Sequence, residues 1–170
     1  SVATVSGSTG TIKAVGSTII TVNQAASGNY AAATATATLL INKAVPSITS
    51  SNVLTKIYGD PLFTLTATSS STGSFSYQVL DPNIAVRTGS NVVSITGVGT
   101  TTIIITQAAD LNHLTSSKTI TLFVNKAKSV IQNNLIITKI FNDTFPVSDI
   151  SATSSSTGLF SYTVSDSLIA

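Results

Sequence analysis

The chain of 170 residues contains no cysteine, methionine or tryptophan, and its six acidic residues are all aspartate. Without cysteine it can form neither disulfide bonds nor thiolate metal sites, and it has no thiol nucleophile. Charged residues make up only 8% of the sequence, and the net charge is +2. The eight basic residues are scattered without a run. Because nucleic-acid binding needs a clustered basic face, nucleic acid is not expected as a partner.

Long apolar runs are also missing. Mean hydropathy is +0.43, yet no apolar stretch approaches the roughly 18 residues that a transmembrane helix requires. The longest runs, at 39–41 and 103–105, have the size of strands. No membrane span is therefore predicted in this segment. Residues 1–4 lack the basic and apolar regions of a signal peptide, so any such peptide is expected to have been removed or to lie far upstream.

The sequence repeats itself. Residues 55–60 (Thr-Lys-Ile-Tyr-Gly-Asp) return at 138–143 as Thr-Lys-Ile-Phe-Asn-Asp, 83 positions later, and residues 67–73 return letter for letter at 152–158, 85 positions later. Two shorter matches have the 83-residue spacing, namely 42–44 with 125–127 and 24–25 with 107–108. This frame predicts three parts: the C-terminal half of a repeat at 1–43, a complete repeat at 44–126 and the N-terminal half of a repeat at 127–170.

Within the complete repeat, short apolar runs alternate with Gly, Pro, Asn, Asp and Ser. Such runs, rich in Thr, Val and Ile, are typical of strands. Seven strands are predicted, near 47–57, 62–68, 74–79, 84–87, 92–96, 100–107 and 117–125. Alternation in the last of them places Ile120, Leu122 and Val124 on the core face. Seven strands in about 83 residues is the count of an Ig-like domain, so the predicted fold class is all-β, with tandem Ig-like β-sandwich repeats.

Several of these segments resemble a known family. Residues 1–7 (Ser-Val-Ala-Thr-Val-Ser-Gly) and 11–22 resemble the closing half of the bacterial Ig-like repeats found in surface adhesins of the invasin and intimin kind. The Tyr58-Gly59-Asp60 segment and the Tyr77 strand resemble tandem repeats of large secreted proteins. The chain departs from that pattern at 110–113 (Asp-Leu-Asn-His) and 141–143 (Phe-Asn-Asp), which bears on turn geometry. The resemblance implies a stalk or spacer on a cell surface, and similar modules decorate phage tails and capsids.

The candidates for a metal site are three aspartates. Asp60, Asp81 and Asp110 could offer oxygen ligands to calcium if a domain end gathered them. No Asp-x-Asp-x-Asp loop and no glutamate accompanies them, so a turn-forming role is favoured. His113 is the only histidine, and because a zinc site or a triad needs further partners, it is interpreted as a turn residue.

No phosphate-binding loop, paired catalytic carboxylates or nucleophile elbow is found in the sequence. The chain is therefore not predicted to be an enzyme, and no cofactor is expected. An isopeptide bond from Lys56 or Lys118 and glycosylation at Asn142 stay open as minor alternatives.

Three functions are compatible with these features. The first is a non-enzymatic structural repeat of an extracellular surface protein, forming a stalk, fibre or filament for adhesion or surface architecture. The second is a subunit of a self-assembling extracellular filament, or of a phage or virus fibre, in which neighbouring chains complete each other's half repeats. The third is a carbohydrate- or receptor-binding module that contacts a host or cell-surface receptor or glycan through loops 81–84 and 108–114. All three predict an extracellular, cell-surface or virion-surface location, and the first two predict neighbouring repeats or identical chains as partners.

Overall fold

The computed structural model describes residues 1–133 and 136–165, and it is almost entirely β. Residues 134–135 and 166–170, which belong to the half repeat predicted at 127–170, lie outside the described residues. The chain divides into two compact units, Ser1–Lys126 and Ala127–Ala170. In the part of the chain that is described, no helix is long and apolar enough to cross a membrane.

Two antiparallel hairpins begin the larger unit. The first joins β1 (Ala3–Ser6) to β2 (Thr9–Ile12), and the second joins β3 (Gly16–Gln24) to β4 (Ala33–Ile41). Pairing in the second hairpin runs from Gly16 opposite Ile41 to Gln24 opposite Ala33. The alternating Ala and Thr residues of β4 have the two-residue period of a strand.

Nine strands follow in residues 44–126, which we call the central repeat. They are β5 (Ile48–Thr49), β6 (Val53–Ile57), β7 (Phe63–Thr64), β8 (Thr68–Ser69), β9 (Phe75–Val79), β10 (Ala85–Arg87), β11 (Val92–Ile95), β12 (Gly99–Gln107) and β13 (Ser116–Asn125). Each of the seven predicted regions contains strand, but the regions at 47–57 and 62–68 each contain two strands. They divide because the chain changes partner: β5 pairs with β8 and β6 with β13, whereas β7 pairs with β11.

The central repeat contains a four-stranded sheet of order β6-β13-β12-β9 and a three-stranded sheet of order β10-β11-β7. Strands β12 and β13 pair antiparallel over nine residue pairs, from Gly99 opposite Val124 to Gln107 opposite Ser116. Strand β6 runs parallel to β13, with Val53 opposite Thr121 and Ile57 opposite Asn125. This parallel pair joins the beginning of the central repeat to its end.

One hydrophobic cluster forms the core of the central repeat. Its members are buried side chains from both sheets and from their connections, namely Ile48, Leu65, Ile84, Ala85, Val93, Ile103, Ile105, Ile120, Leu122 and Val124. Because successive side chains of a strand point to opposite faces, Ile103 and Ile105 of β12 are buried while Ile104 between them is partly exposed. The core positions predicted for Ile120, Leu122 and Val124 are confirmed.

The hairpin β3–β4 repeats the hairpin β12–β13 at the 83-residue spacing. Strand β3 begins at Gly16 and β12 at Gly99, and the residue opposite each glycine, Ile41 or Val124, also follows the spacing. Both glycines have a positive φ, 139° and 144°, which side chains with a Cβ rarely adopt. The repeated letters therefore form the same local structure twice.

The smaller unit, Ala127–Ala170, pairs β14 (Ile131–Asn133) with β15 (Ala152–Ser154) and contains a short 3₁₀ helix at Val147–Asp149. The pairing of β14 with β15 has the register of the β5–β8 pair of the central repeat.

The turn at 141–143 keeps the hydrogen bonds of its counterpart at 58–60. The Ile140 N–H donates to Asp143 Oδ2 at 3.1 Å, just as the Ile57 N–H donates to Asp60 Oδ2 at 2.9 Å. Asn142 has φ 71°, and Gly59, the residue it replaces, has φ 93°. Since asparagine tolerates the left-handed region better than most residues, the substitution preserves this turn.

Candidate functional site

Asp110 links two loops that are distant in sequence. Its Oδ2 accepts hydrogen bonds from the Ser71 hydroxyl at 3.0 Å, the Thr72 N–H at 2.9 Å and the Thr72 hydroxyl at 3.0 Å. Its Oδ1 accepts from the N–H groups of Asn112 at 2.8 Å and His113 at 2.7 Å. One carboxylate therefore holds loop 71–73 against loop 110–113.

These donors also set the protonation state of Asp110. The Thr72 N–H above all, with the His113 side chain, the Asn112 N–H and the Ser71 hydroxyl, holds the pKa of the Asp110 carboxyl well below its usual range, although partial desolvation opposes them. The His113 Nδ1 atom lies 3.0 Å from Asp110 Oδ1. Hydrogen bonds to a carboxylate favour its charged form, so Asp110 is an anion over the whole physiological pH range.

The side chain of Gln107 also fixes loop 71–73. It is fully buried, and its Nε2 donates to the backbone oxygens of Ser71 and Gly73, both at 3.0 Å. The Oε1 atom of Gln107 has no hydrogen-bond partner among the described residues. On the far side of the loop, Gly73 lies so close to Ala108 that a Cβ at position 73 would come within 1.9 Å of the Ala108 carbonyl oxygen. Loop 71–73 therefore has one tightly fixed position.

The opposite side of loop 110–113 contacts the linker at 43–44. The Ala44 N–H donates to the Asn112 carbonyl at 2.9 Å, and the Leu114 N–H donates to the Ala44 carbonyl at 2.8 Å. The Lys43 Nζ donates to the Asp110 carbonyl at 2.7 Å, and the Val15 N–H donates to Asn112 Oδ1 at 3.2 Å. We call loops 110–113 and 71–73, together with residues 43–44, the joint. Because backbone hydrogen bonds fix a linker that has no Gly or Ser, the joint limits its bending.

The other two aspartates lie in local turns. Asp60 Oδ2 accepts from the Ile57 N–H, and Asp81 Oδ1 accepts from the Asn83 N–H at 2.9 Å. Among the residues that the structure describes, no three His, Cys, Asp or Glu side chains form a group that could hold a metal ion. Asp60, Asp81 and Asp110 thus each have the hydrogen bonds that a turn-forming role requires, and calcium binding stays a prediction.

For a carbohydrate-binding module, Tyr30 and Tyr77 are the aromatic side chains that could form a sugar platform, and they differ in environment. Tyr30 is exposed, whereas Tyr77 packs against the core and its ring centre lies 6.5 Å from that of Phe75. Burial raises the pKa of the Tyr77 hydroxyl. Tyr77 is therefore better explained by core packing, and Tyr30 keeps an open ring face.

Sequence reasoning singled out Asp110 and His113 but missed their partners. Ser71 and Thr72 lie almost 40 positions before Asp110, and no spacing rule connects them. A signal did exist, because residues 67–73 recur without a single change at 152–158 while much of the remaining repeat varies. The recurring residues form the same hydrogen bond in both copies. The Ser71 hydroxyl accepts from the Gly73 N–H at 3.2 Å, and the Ser156 hydroxyl accepts from the Gly158 N–H at 3.2 Å.

The hydrogen bonds to Asp110 in the joint lead us to expect that the stability of the chain decreases at acidic pH. A carboxyl whose pKa is lowered on folding stabilises the protein above its unfolded pKa, about 3.9 for Asp, and this stability is lost as the pH falls below that value. We expect the denaturation midpoint of the chain to fall on acidification from about pH 5 to pH 2, and the Asp110→Asn variant to show a flatter dependence. Denaturant titrations at several pH values measure this.

The matched control is Asp60→Asn, which removes the same charge from a carboxylate in a local turn of the same repeat. It is expected to keep most of the wild-type pH slope. If Asp110→Asn and wild type share one slope, the joint does not depend on the Asp110 charge.

Comparison with protein-family profiles, with curated proteins and with solved structures found no match for this chain. The assignment of a function therefore depends on the residues, pairings and contacts described above.

Proposed function

We propose that the chain is a non-enzymatic structural repeat of an extracellular surface protein, and that it acts as a stalk or fibre. The observation that carries this proposal is the parallel pair β6–β13, which joins the two ends of the central repeat. The neighbours of the central repeat in such a stalk are further repeats, and its setting is a cell surface or a virion surface.

The strand order supports an Ig-like β-sandwich for residues 44–126. In an Ig domain, strands A, B, E and D form one sheet and strands C, F and G the other. The order β9-β12-β13 corresponds to C, F and G. The order β10-β11-β7, together with the β5–β8 pair, corresponds to D, E, B and A if β7 and β8 are two parts of strand B. Burial of residues from both sheets in one cluster supports the same assignment.

The direction of β6 relative to β13 suits a chain under tension. When the ends of the central repeat are pulled apart, the start of β6 and the end of β13 move in opposite directions along the strands. All hydrogen bonds of the pair, from Val53 opposite Thr121 to Ile57 opposite Asn125, then bear the load together. Two flanking bonds extend the pair, since the Thr121 N–H donates to Asn52 and the Tyr58 N–H to Asn125, both at 2.9 Å.

Single-molecule pulling tests this mechanism, and the absence of native cysteine allows handles at chosen positions. Handles at Ala44→Cys and Lys126→Cys load the β6–β13 pair along the strands. We expect one unfolding peak that releases roughly 270–300 Å of chain, less the folded distance between the handles, because each of the 82 residue steps from position 44 to 126 spans about 3.3–3.6 Å when extended.

The control places handles at Tyr58→Cys and Asn125→Cys. Tyr58 and Asn125 are hydrogen-bonded neighbours at one end of the pair, so pulling there opens the bonds one after another. A clearly lower unfolding force is expected in this geometry. Equal forces, or no force peak from either pair of handles, would count against a mechanical role for β6–β13.

A second candidate function is favoured by the exposed apolar side chains of β3–β4. Ile20 and Val22 are exposed on one face of β3, although their counterparts Ile103 and Ile105 in the hairpin β12–β13 are buried. A sheet face of this kind, with open strand edges, is a site for association. The chain would then be a subunit of a self-assembling extracellular filament or of a phage or virus fibre.

A further inference from the structure

The same side chains have opposite environments in two copies of one hairpin. Ile103 and Ile105 of β12 are both 0% exposed, whereas their counterparts 83 positions earlier, Ile20 and Val22 of β3, are 36% and 63% exposed. Gln107 is buried as well, and its counterpart Gln24 is exposed. Among the described residues, therefore, no buried core packs on the core face of the hairpin β3–β4.

An apolar groove lies where this core would be. It has a volume of about 450 Å³ and runs between the hairpins β1–β2 and β3–β4, with Ile12, Ile20 and Leu39 in its lining. At the 83-residue spacing, Ile20 and Leu39 correspond to Ile103 and Leu122, which belong to the buried core cluster. The groove thus corresponds to the space that the central repeat fills with its own side chains, Leu65 among them.

Three segments of the central repeat complete the two sheets around the equivalent hairpins. Strands β6 and β9 extend the sheet of β12 and β13 at its two edges, and β7 extends the other sheet at β11. Each has a counterpart in the smaller unit: β6 in residues 136–140, β7 near Phe145 and β9 in residues 160–164.

Those counterparts present exposed apolar side chains, among them Ile136, Ile140, Phe145, Phe160 and Val164. Two pairs of side chains already have the geometry of their counterparts in the central repeat. The rings of Phe160 and Tyr162 lie 6.4 Å apart at 38°, close to the 6.5 Å and 37° of Phe75 and Tyr77. Lys139 lies over the ring of Phe145, as Lys56 lies over that of Phe63.

We propose that the groove between β1–β2 and β3–β4 binds residues 136–164 of a second copy of this chain. The residue pairs observed in the central repeat give the expected register of this contact. Because Ile105 pairs with Tyr77 and Ile103 with Val79, Val22 of one copy lies opposite Tyr162 of the other, and Ile20 opposite Val164. On the other edge Leu122 pairs with Leu54, so Leu39 lies opposite Ile137.

This inference rests on the second candidate function and names its partner and its interface. The open edges of β3 and β4 accept added strands by backbone hydrogen bonds, and the groove accepts their apolar side chains. Each copy uses one surface to bind and a different surface to be bound. Such heterologous contacts continue from copy to copy, so the product is a head-to-tail filament or a ring.

Disulfide trapping tests the register. Thr21 and Thr163 are the counterparts of Ile104 and Gln78, which lie opposite each other in the antiparallel pair β12–β9. A tagged Thr21→Cys chain is mixed with a Thr163→Cys chain and oxidised, and the tag distinguishes the mixed dimer from the two identical ones. Opposite residues lie about 4.5–5.5 Å apart, within disulfide reach.

The control is Ser161→Cys in place of Thr163→Cys, which moves the thiol two residues out of register. The Cα atoms of such a diagonal pair lie about 7–8 Å apart, beyond the usual limit of about 7 Å, so the mixed dimer should form about tenfold less. Equal yields from Thr163→Cys and Ser161→Cys would overturn the register.

Sedimentation velocity of the unmodified chain over a wide concentration range tests the second candidate function, and variants of the chain test this interface. Association is expected, and it should be lost in Ile20→Asp, which lines the groove, but kept in Asn23→Asp, which lies outside the groove lining on the other face of the same strand. A chain that stays monomeric overturns both the interface and the second candidate function. Association that Ile20→Asp leaves unchanged overturns this interface only, and a filament then uses another surface.

Discussion

Replacing Leu65 by alanine should destabilise the central repeat by about 2–5 kcal/mol, because a buried leucine side chain is replaced by a cavity. Leu65 is 1% exposed and belongs to the core cluster. Both backbone polar groups of Leu65 form hydrogen bonds with Asn91. The Leu65 N–H donates to the Asn91 carbonyl at 2.8 Å, and the Asn91 side chain donates to the Leu65 carbonyl at 3.0 Å. These bonds hold the backbone at Leu65, which limits its movement inward to fill the space.

Chemical denaturation that is monitored by hydrogen exchange of the β12 and β13 amides measures the stability of the central repeat alone. Since the total stability of a domain is about 5–15 kcal/mol, the expected loss is a large fraction of it and should lower the denaturation midpoint clearly. Leu62→Ala is the matched control, because Leu62 is 60% exposed and surface substitutions usually change stability by less than about 0.5 kcal/mol. Similar losses in both variants would mean that Leu65 is not a core residue.

Replacing Gly73 by alanine should have the second largest effect, because the added Cβ would meet backbone atoms. It would lie 1.9 Å from the Ala108 carbonyl oxygen and 2.8 Å from the carbonyl carbon. No side-chain rotation relieves such a contact, so loop 71–73 must move away from Ala108. That movement strains the bond from the Ala108 N–H to the Ser74 carbonyl and those from Gln107. Forced backbone shifts of this kind cost about 1–3 kcal/mol, and sometimes more.

Thermal denaturation together with hydrogen exchange of residues 108–114 measures both the stability and the joint. Faster exchange in that loop is expected in Gly73→Ala even below its melting transition. Gly89→Ala is the control in the same repeat, since a Cβ at position 89 would meet only the Val92 side chain, at an ordinary 3.4 Å. It should change stability little. If Gly73→Ala melts and exchanges like Gly89→Ala, loop 71–73 is not held against Ala108.

The sequence was most informative where a local pattern decides the structure. The alternation in the last strand of the central repeat placed Ile120, Leu122 and Val124 in the core, and the structure confirms all three. The repeated Ile-x-x-Asp turns have matching hydrogen bonds although Asn142 replaces a glycine. Side-chain alternation and turn chemistry involve neighbours in the chain, so they can be predicted from the order of residues.

The sequence was less informative where distant segments meet. Asp110 was recognised as a turn residue, but its bonds to Ser71 and Thr72 depend on where the fold brings two loops together. The division of residues 47–57 into β5 and β6 has the same origin, because the strand ends where its partner changes from β8 to β13. Neither a hydrogen bond between loops nor a change of partner leaves a periodic signal in the sequence.

The two copies of one hairpin separate these contributions most clearly. By itself the sequence determined that β3 and β12 are alike, with the same spacing, an initial glycine and an isoleucine at the same position, Ile20 or Ile103. Only the tertiary structure decided that Ile103 is buried and Ile20 is exposed. The strand is formed by its own residues and the hairpin partner next to it, whereas burial requires other strands packed across the sheet face.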